Sequence, residues 1–336
     1  MVVGARRSAE LAATLIERVG AAATGTTVLV PVSSGEEADL VHRWCTGTGN
    51  SVYAVHEAAV EVYRGSFPDT IAGMAPDRRP GYRLWIYTNF HCNLACDYCC
   101  VESSPKADPR ILDADTVSRL VTEGLEAGVR EFYLTGGEPF LNPDIAKVVS
   151  ACATAAPTTL LTNGMLFRGT RRDWLEAMPR DGLTLQISVD SATPDLHDAH
   201  RGAGSWARAI DGVRTAKELG FTVRLATTLS ADSAQDAVAL AALCCELGLA
   251  ADETIVRTVA RQGNATAGIM ITRATVVPEV CVTAEGIYWH PVAALDESMR
   301  VSTEMFPLER TIHAVTREFL DYRRAGDVLA ASFPCA

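Results

Sequence analysis

From residue 82 to about residue 260 the chain alternates short runs rich in β-branched and aromatic residues with longer amphipathic runs. Tyr82–Thr88 (YRLWIYT), Glu131–Leu134, Thr158–Leu161, Leu183–Val189, Thr222–Thr228 and Glu253–Val259 read as strands. Between them Asp113–Ala127, Asp144–Ala153, Arg171–Met178, Trp206–Leu219 and Ala234–Leu247 carry helical periodicity, and Asp113 is placed to cap the first. Strands that alternate with helices pair in parallel through crossovers, so this stretch is an incomplete barrel or an open doubly wound sheet. In either, reactive groups belong at the C-terminal ends of the strands.

A segment rich in Pro, Gly and Asp, FPDTIAGMAPDRRPG (67–81), has no sustained period and marks a domain boundary. Before it, a helix over 7–19, a strand over 26–32, a helix over 36–46 and strands near 51–55 and 59–63 predict a small α/β sandwich. Beyond 265 a short hairpin (276–282, then 286–289) precedes a helix over 309–323. The plan is therefore 1–66, a linker over 67–81, 82–264, and an extension over 265–336.

Thirty Lys and Arg against 41 Asp and Glu leave a net charge of −11, which excludes a nucleic-acid partner held through its phosphates. A local basic pocket for one small anion stays compatible with that balance. No run approaches the roughly 18 apolar residues of a membrane span. Glu10 and Glu17 break the apolar N-terminal stretch, against a secretory signal. The expected compartment is the reducing cytoplasm, where ten cysteines are metal ligands, reactive thiols or core residues rather than disulfides.

Four of those ten fall between Cys92 and Cys100, directly after the strand YRLWIYT. Cys92, Cys96 and Cys99 have the spacing C-x3-C-x2-C on what must be a strand-end loop. Three thiolates on a tight loop ligate three irons of a [4Fe–4S] cube and leave the fourth iron open to a chelating cofactor or substrate. Zinc competes if Cys100 supplies a fourth donor, which would make the chain a zinc-binding interaction protein. Otherwise Cys100 is a spare thiol facing away from the cube, a donor, or a ligand to something else. His56, His197, His200 and His313 carry no ligand spacing.

With Tyr98 just before the last of the three cysteines, this loop resembles the signature of the radical S-adenosylmethionine (radical SAM) enzymes. The resemblance continues in order through LTGGEPFLNPDI (134–145), LLTNG (160–164), ISVDS (187–191) and HRG (200–202), the last in the loop after the fourth strand. It implies a partial (β/α)6 barrel, a [4Fe–4S] cluster on Cys92, Cys96 and Cys99, and SAM chelated to the open iron. It further implies reductive cleavage of SAM to a 5′-deoxyadenosyl radical that abstracts hydrogen from a peptide or small biosynthetic substrate. An electron donor such as flavodoxin or ferredoxin is the implied partner, with no membrane. Gly136 and Gly137 would let backbone approach the SAM amino group, Glu138 would give polar support, and Pro139 would stiffen the turn. Tyr98 would pack on or hydrogen-bond near the adenine, and Ser188 and Asp190 are candidates for ribose or methionine contacts. Arg201 would pair with the SAM carboxylate or form a salt bridge of its own loop.

The two ends carry resemblances too. TTVLVPVSSGEEADLVHRWCTGTGNSVYAVHEAAVEVYRG is similar to TusA-like sulfur-carrier domains, but GARRSAEL (4–11) lacks the Cys-Pro that carries persulfide in that family. Cys45 reads as a helix-face core residue, which leaves a docking module, with a sulfur-transfer-linked radical SAM enzyme as the alternative. VPEVCVTAEGIYWHP (277–291) resembles the hairpin of SPASM and twitch extensions, with Gly286 and Tyr288 matching and His290 where a cysteine is expected. Cys281, His290 and Cys335, with Cys244 or Cys245, are candidates for a second, mixed-ligand metal site; the alternative is a structural hairpin without metal. Cys244 and Cys245 otherwise read as a buried helix face.

Overall fold

The computed structural model describes residues 2–65, 74–229, 237–249 and 254–325, which divide between two compact units. One comprises residues 1–79, 272–278 and 314–332; the other comprises 80–271, 279–313 and 333–336.

In the first unit the chain runs through α1 (Val2–Gly20), β1 (Thr27–Pro31), α2 (Gly35–Thr48), β2 (Ser51–Val55) and β3 (Ala59–Tyr63). Ser34 caps α2 by accepting from the Glu37 backbone N–H at 3.3 Å, and the Glu37 carboxylate accepts from the Ser33 N–H at 2.6 Å. The three strands form an antiparallel sheet in the order β1-β3-β2. Its buried face, with Val30, Val60 and Val62, joins Leu11, Leu15, Val19, Val41 and Cys45 in one apolar core. Cys45 is thus a packing residue, and burial pushes its thiol up to about 12.

The second unit is a partial α/β barrel. Its strands are β4 (Arg83–Tyr87), β5 (Glu131–Thr135), β6 (Thr158–Thr162), β7 (Leu183–Ser188), β8 (Thr222–Leu229) and β9 (Thr254–Thr258). They lie side by side in that order, every pair parallel. The connecting helices are α3 (Ala114–Glu126), α4 (Ile145–Ala155), α5 (Thr170–Ala177), α6 (Pro194–Arg201), α7 (Ser205–Glu218) and α8 (Ala237–Glu246). Asp113 caps α3 as its position predicts, accepting from the Thr116 N–H at 2.7 Å. Outward-facing Leu183, Leu185 and Ile187 of β7 are buried beneath the helices, whereas Thr184, Gln186 and Ser188 alternate onto the inner face.

Several expectations need correction. His200 and Arg201, expected in a loop, are the last residues of the helix α6, with Gly202 as its C-cap. The C-terminal hairpin is shorter than expected, β10 (Cys281–Thr283) and β11 (Gly286–Tyr288). It is also part of the barrel sheet. β10 pairs in parallel with β4, and β12 (Arg300–Ser302) closes that edge. α9 (Leu308–Ala325) follows. Of the expected buried pair on α8, Cys244 is buried and Cys245 is exposed. Among the described residues no helix is long and apolar enough to cross a membrane.

Candidate active site

The cysteine loop leaves β4 through Thr88, Asn89, Phe90 and His91, all at the C-terminal edge of the sheet. The next strand's end is pressed against it. Gly137 N–H donates to Asn89 O and Glu138 N–H to His91 O, both at 3.0 Å. A Cβ on Gly137 would lie 2.2 Å from the His91 carbonyl oxygen, and one on Gly136 would lie 2.6 Å from that of Asn89. These two glycines therefore allow the GGEP turn to dock on the cysteine loop itself. The Asn89 side chain locks the same junction, donating to His91 O at 2.9 Å and to Glu138 O at 3.1 Å.

Glu138 corrects the expectation of polar support to a ligand. Its carboxylate is fully buried and accepts from Phe140 N–H at 3.1 Å, Thr162 Oγ1 at 2.7 Å and Asn163 N–H at 2.8 Å. It ties the end of β5 to the end of β6. Burial pushes its carboxyl above the usual range despite those donors. Pro139 opens a short 3₁₀ turn behind it. Asn163, thus positioned, donates to Asn93 Oδ1 at 2.8 Å and approaches the Cys92 sulfur at 3.9 Å.

At the end of β7, Asp190 is buried and receives a fork from Arg201, Nε at 2.6 Å and Nη2 at 3.1 Å. The Tyr98 hydroxyl and the Thr228 N–H also donate to it. Burial alone would raise the Asp190 carboxyl, but Arg201, Tyr98 and Thr228 together hold it below the usual range. Arg201, the last residue of α6, forms a salt bridge with Asp190, which lies in the segment between β7 and α6. Burial takes the ring of His197 down to about 4, so it stays neutral and its Nδ1 accepts from the Asp190 N–H at 3.1 Å.

Cys92, Cys96 and Cys99 border one cavity of about 200 Å³, which Tyr98, Ser188 and Arg201 also line. None is in a disulfide. Backbone N–H groups already aim at two sulfurs, Leu94 at Cys92 (3.4 Å) and Ser103 at Cys99 (3.3 Å). Burial pushes the Cys92 thiol up to about 12 and raises that of Cys96, which Arg201 partly offsets. A bound cationic centre would reverse that preference by taking the thiolates. Among the described residues no three His, Cys, Asp or Glu side chains are grouped to hold a single metal ion. A cube asks for no such convergence, since each of its irons takes its own thiolate. Three free thiols with N–H donors around one cavity fit a [4Fe–4S] cube and its open corner.

Cys100 also borders the cavity, beside Tyr87 and Arg257, and burial pushes its thiol up to about 12. Beyond β9, Asn264 clasps the loop from outside. Its N–H donates to Cys99 O at 2.9 Å and its side chain to Cys96 O at 3.0 Å. Sequence reasoning named neither Asn89 nor Asn264. Asn163 lay inside the LLTNG segment, the one available signal. At the C-terminal hairpin Cys281 and His290 are both buried, and His290 Nδ1 accepts from the Val292 N–H at 3.3 Å. Cys335 lies outside the described residues.

Residues 86–243 match the Radical SAM superfamily. These 158 of the chain's 336 residues carry a Radical SAM domain. A GTP 3′,8-cyclase of Microcystis aeruginosa is 34% identical over 140 residues, covering 39% of this chain and 42% of the relative. A PqqA peptide cyclase of Ruegeria pomeroyi is 33% identical over 159 residues, covering 47% and 42%. The chain thus spans less than half the length of these relatives. Among solved structures, native anSMEcpe with bound AdoMet aligns with a TM-score of 0.56 at 14% identity, over 70% of this chain and 82% of that one. SuiB of Streptococcus suis bound to precursor peptide SuiA aligns at 0.50 and 22%, over 59% and 44%. At those identities the likeness is one of fold.

Proposed function

We propose that Cys92, Cys96 and Cys99 hold a [4Fe–4S] cluster whose open iron chelates SAM, and that the enzyme abstracts hydrogen from a peptide or small biosynthetic substrate. The observation that carries this reading is the trio of free thiols lining the strand-end cavity. When bound, the cluster supplies the electron that cleaves SAM to methionine and a 5′-deoxyadenosyl radical. The chain's residues bind, orient and shield. Gly136 and Gly137 bring the GGEP turn onto the cysteine loop, Glu138 fixes Asn163 beside Cys92, and Asp190 holds Arg201 and Tyr98 rigid at the wall. Ser188, which also lines the cavity, remains the residue read as contacting the ribose or methionine.

A peptide substrate is supported by the name of the PqqA peptide cyclase and by the precursor peptide bound to SuiB. The small N-terminal unit, TusA-like in sequence, is read as a docking module, since its described cysteine is a core residue. A flavodoxin or ferredoxin is the expected electron donor, and the free thiols suit the cytoplasm.

Anaerobic reconstitution with iron and sulfide is expected to give about four irons per chain. Dithionite and SAM should then release 5′-deoxyadenosine, and the Cys92→Ala, Cys96→Ala, Cys99→Ala triple variant should lose both. A colourless protein carrying one zinc, or an iron-loaded protein that releases no 5′-deoxyadenosine, would overturn the reading.

A further inference from the structure

Cys92 and the pair Cys96 and Cys99 are braced by different parts of the chain. Cys92 follows the junction where the GGEP turn docks on the end of β4, with Asn163 beside its sulfur. Cys96 and Cys99 lie farther out, at the two ends of a β-turn closed by Cys99 N–H donating to Cys96 O at 3.2 Å. Inside that turn the Asp97 N–H donates to His200 O at 3.3 Å, so α6 holds one side of it.

The other side is held by a closed loop that follows β9. Its base is a bridge between Ala260 and Ile269, where Ile269 N–H donates to Val259 O and Arg261 N–H to Ile269 O, both at 2.9 Å. The Gln262 amide donates to Asp296 Oδ2 at 3.2 Å and anchors the loop to the segment between β11 and β12. Ala265 N–H donates to Gln262 O at 3.1 Å and folds the tip, which consists of Gly263 and Asn264.

That tip fits the cysteine turn. Gly263 has a φ of +57°, and a Cβ there would lie 2.4 Å from Cys99 O and 2.6 Å from the Cys100 carbonyl carbon. Backbone therefore packs directly on backbone. Asn264 spans both ends of the turn, its N–H donating to Cys99 O at 2.9 Å and its side-chain amide to Cys96 O at 3.0 Å. Each carbonyl already accepts once, Cys96 O from Cys99 N–H and Cys99 O from Glu102 N–H, and Asn264 takes the second lone pair of each. One residue thus fixes the two carbonyls relative to each other, and with them the backbone that carries both sulfurs. Groups that orient ligands contribute to metal affinity without touching the metal.

We propose that Asn264 is a positioning residue for the cluster, holding the Cys96–Cys99 turn in the shape that presents two sulfurs to the cube. Its role toward the cube rests on the cluster reading above, but the brace acts in the metal-free chain as well.

Metal-free full-length protein is treated with iodoacetamide, and alkylation of each cysteine is timed by fragment mass spectrometry. In Asn264→Ala, Cys96 and Cys99 should react about two- to tenfold faster than in wild type, because one neutral hydrogen bond no longer opposes local opening. Cys92, braced elsewhere, and buried Cys152 should keep their wild-type rates, which separates a loosened turn from a destabilised fold. Asn264→Leu, close in size but with no amide donor, should match Asn264→Ala. Thr266→Ala, exposed in the same loop, should match wild type. After reconstitution the two Asn264 variants should release iron to a chelator faster by a similar factor. Unchanged rates at Cys96 and Cys99 overturn the proposal, as does an acceleration shared by Cys152 or by Thr266→Ala. So does an Asn264→Leu that reacts like wild type, or iron release that stays unchanged. A wild type that takes up no cluster refutes the cluster reading and with it the role toward the cube, whereas alkylation rates report on the brace alone.

Discussion

Glu138→Gln isolates the residue that joins the second and third barrel strands beneath the cysteine loop. In the wild type one carboxylate oxygen accepts from Phe140 N–H and Thr162 Oγ1, and the other accepts from Asn163 N–H. Glutamine keeps one acceptor oxygen, enough for the first pair, and turns its amide nitrogen toward Asn163. One buried backbone N–H is left without an acceptor, a cost of about 1–3 kcal/mol, and a charge-assisted bond worth about 1.5–3 kcal/mol is lost. The two overlap, and removing a buried charge gives some of the cost back, so a net destabilisation of about 2 kcal/mol is expected. For a unit of this size that is a drop of about 4–8 °C in thermal midpoint. The pH dependence has a definite sign. The folded-state pKa of Glu138 lies above the ordinary carboxyl value, so its contribution is full below that ordinary value and falls as pH rises through the folded pKa. Wild type should therefore exceed Glu138→Gln by more at pH 5 than at pH 8. Thermal unfolding followed by tryptophan fluorescence at both pH values measures the difference. A variant as stable as wild type, or a gap that widens toward pH 8, would refute the assignment of this carboxylate as the buried tie.

Further outcomes follow from the same geometry. Asp190→Asn removes one partner of a buried ion pair and should cost about 3–5 kcal/mol near neutral pH, measured by urea unfolding. Because Asp190 is held below the usual range, its contribution is present above the ordinary carboxyl pKa of about 3.9 and is lost as pH falls through the folded pKa. The gap to the variant should close in acid. Gly137→Ala, whose Cβ would lie 2.2 Å from His91 O, should abolish iron retention after reconstitution. Gly47→Ala, a helical position with nothing within 4 Å, is its control and should gain about 0.5–1 kcal/mol of stability with iron unchanged.

Legibility in the sequence followed the range over which each interaction acts. The strands and helices of the barrel were readable because hydrophobic period and caps such as Asp113 are written in adjacent residues. The three cysteines were readable because a loop of eight residues carries them all. α6 was missed because it is only eight residues long, mostly polar, and opens on Pro194. Roles assigned to Glu138, Asp190 and Arg201 shifted because their partners lie elsewhere in the chain, 24 residues away for Thr162 and 92 for the Tyr98–Asp190 contact.

By itself, then, the order of residues determined the alternating α/β plan, the thiol trio and the end of the sheet where it sits. Tertiary structure alone decided that Glu138 and Asp190 face inward as ties and that the C-terminal hairpin extends the barrel sheet beside β4. The physical reason is parallel register. It sets side chains from distant segments at one height, and a strand's own pattern specifies which face is buried but not which residue waits across the ladder.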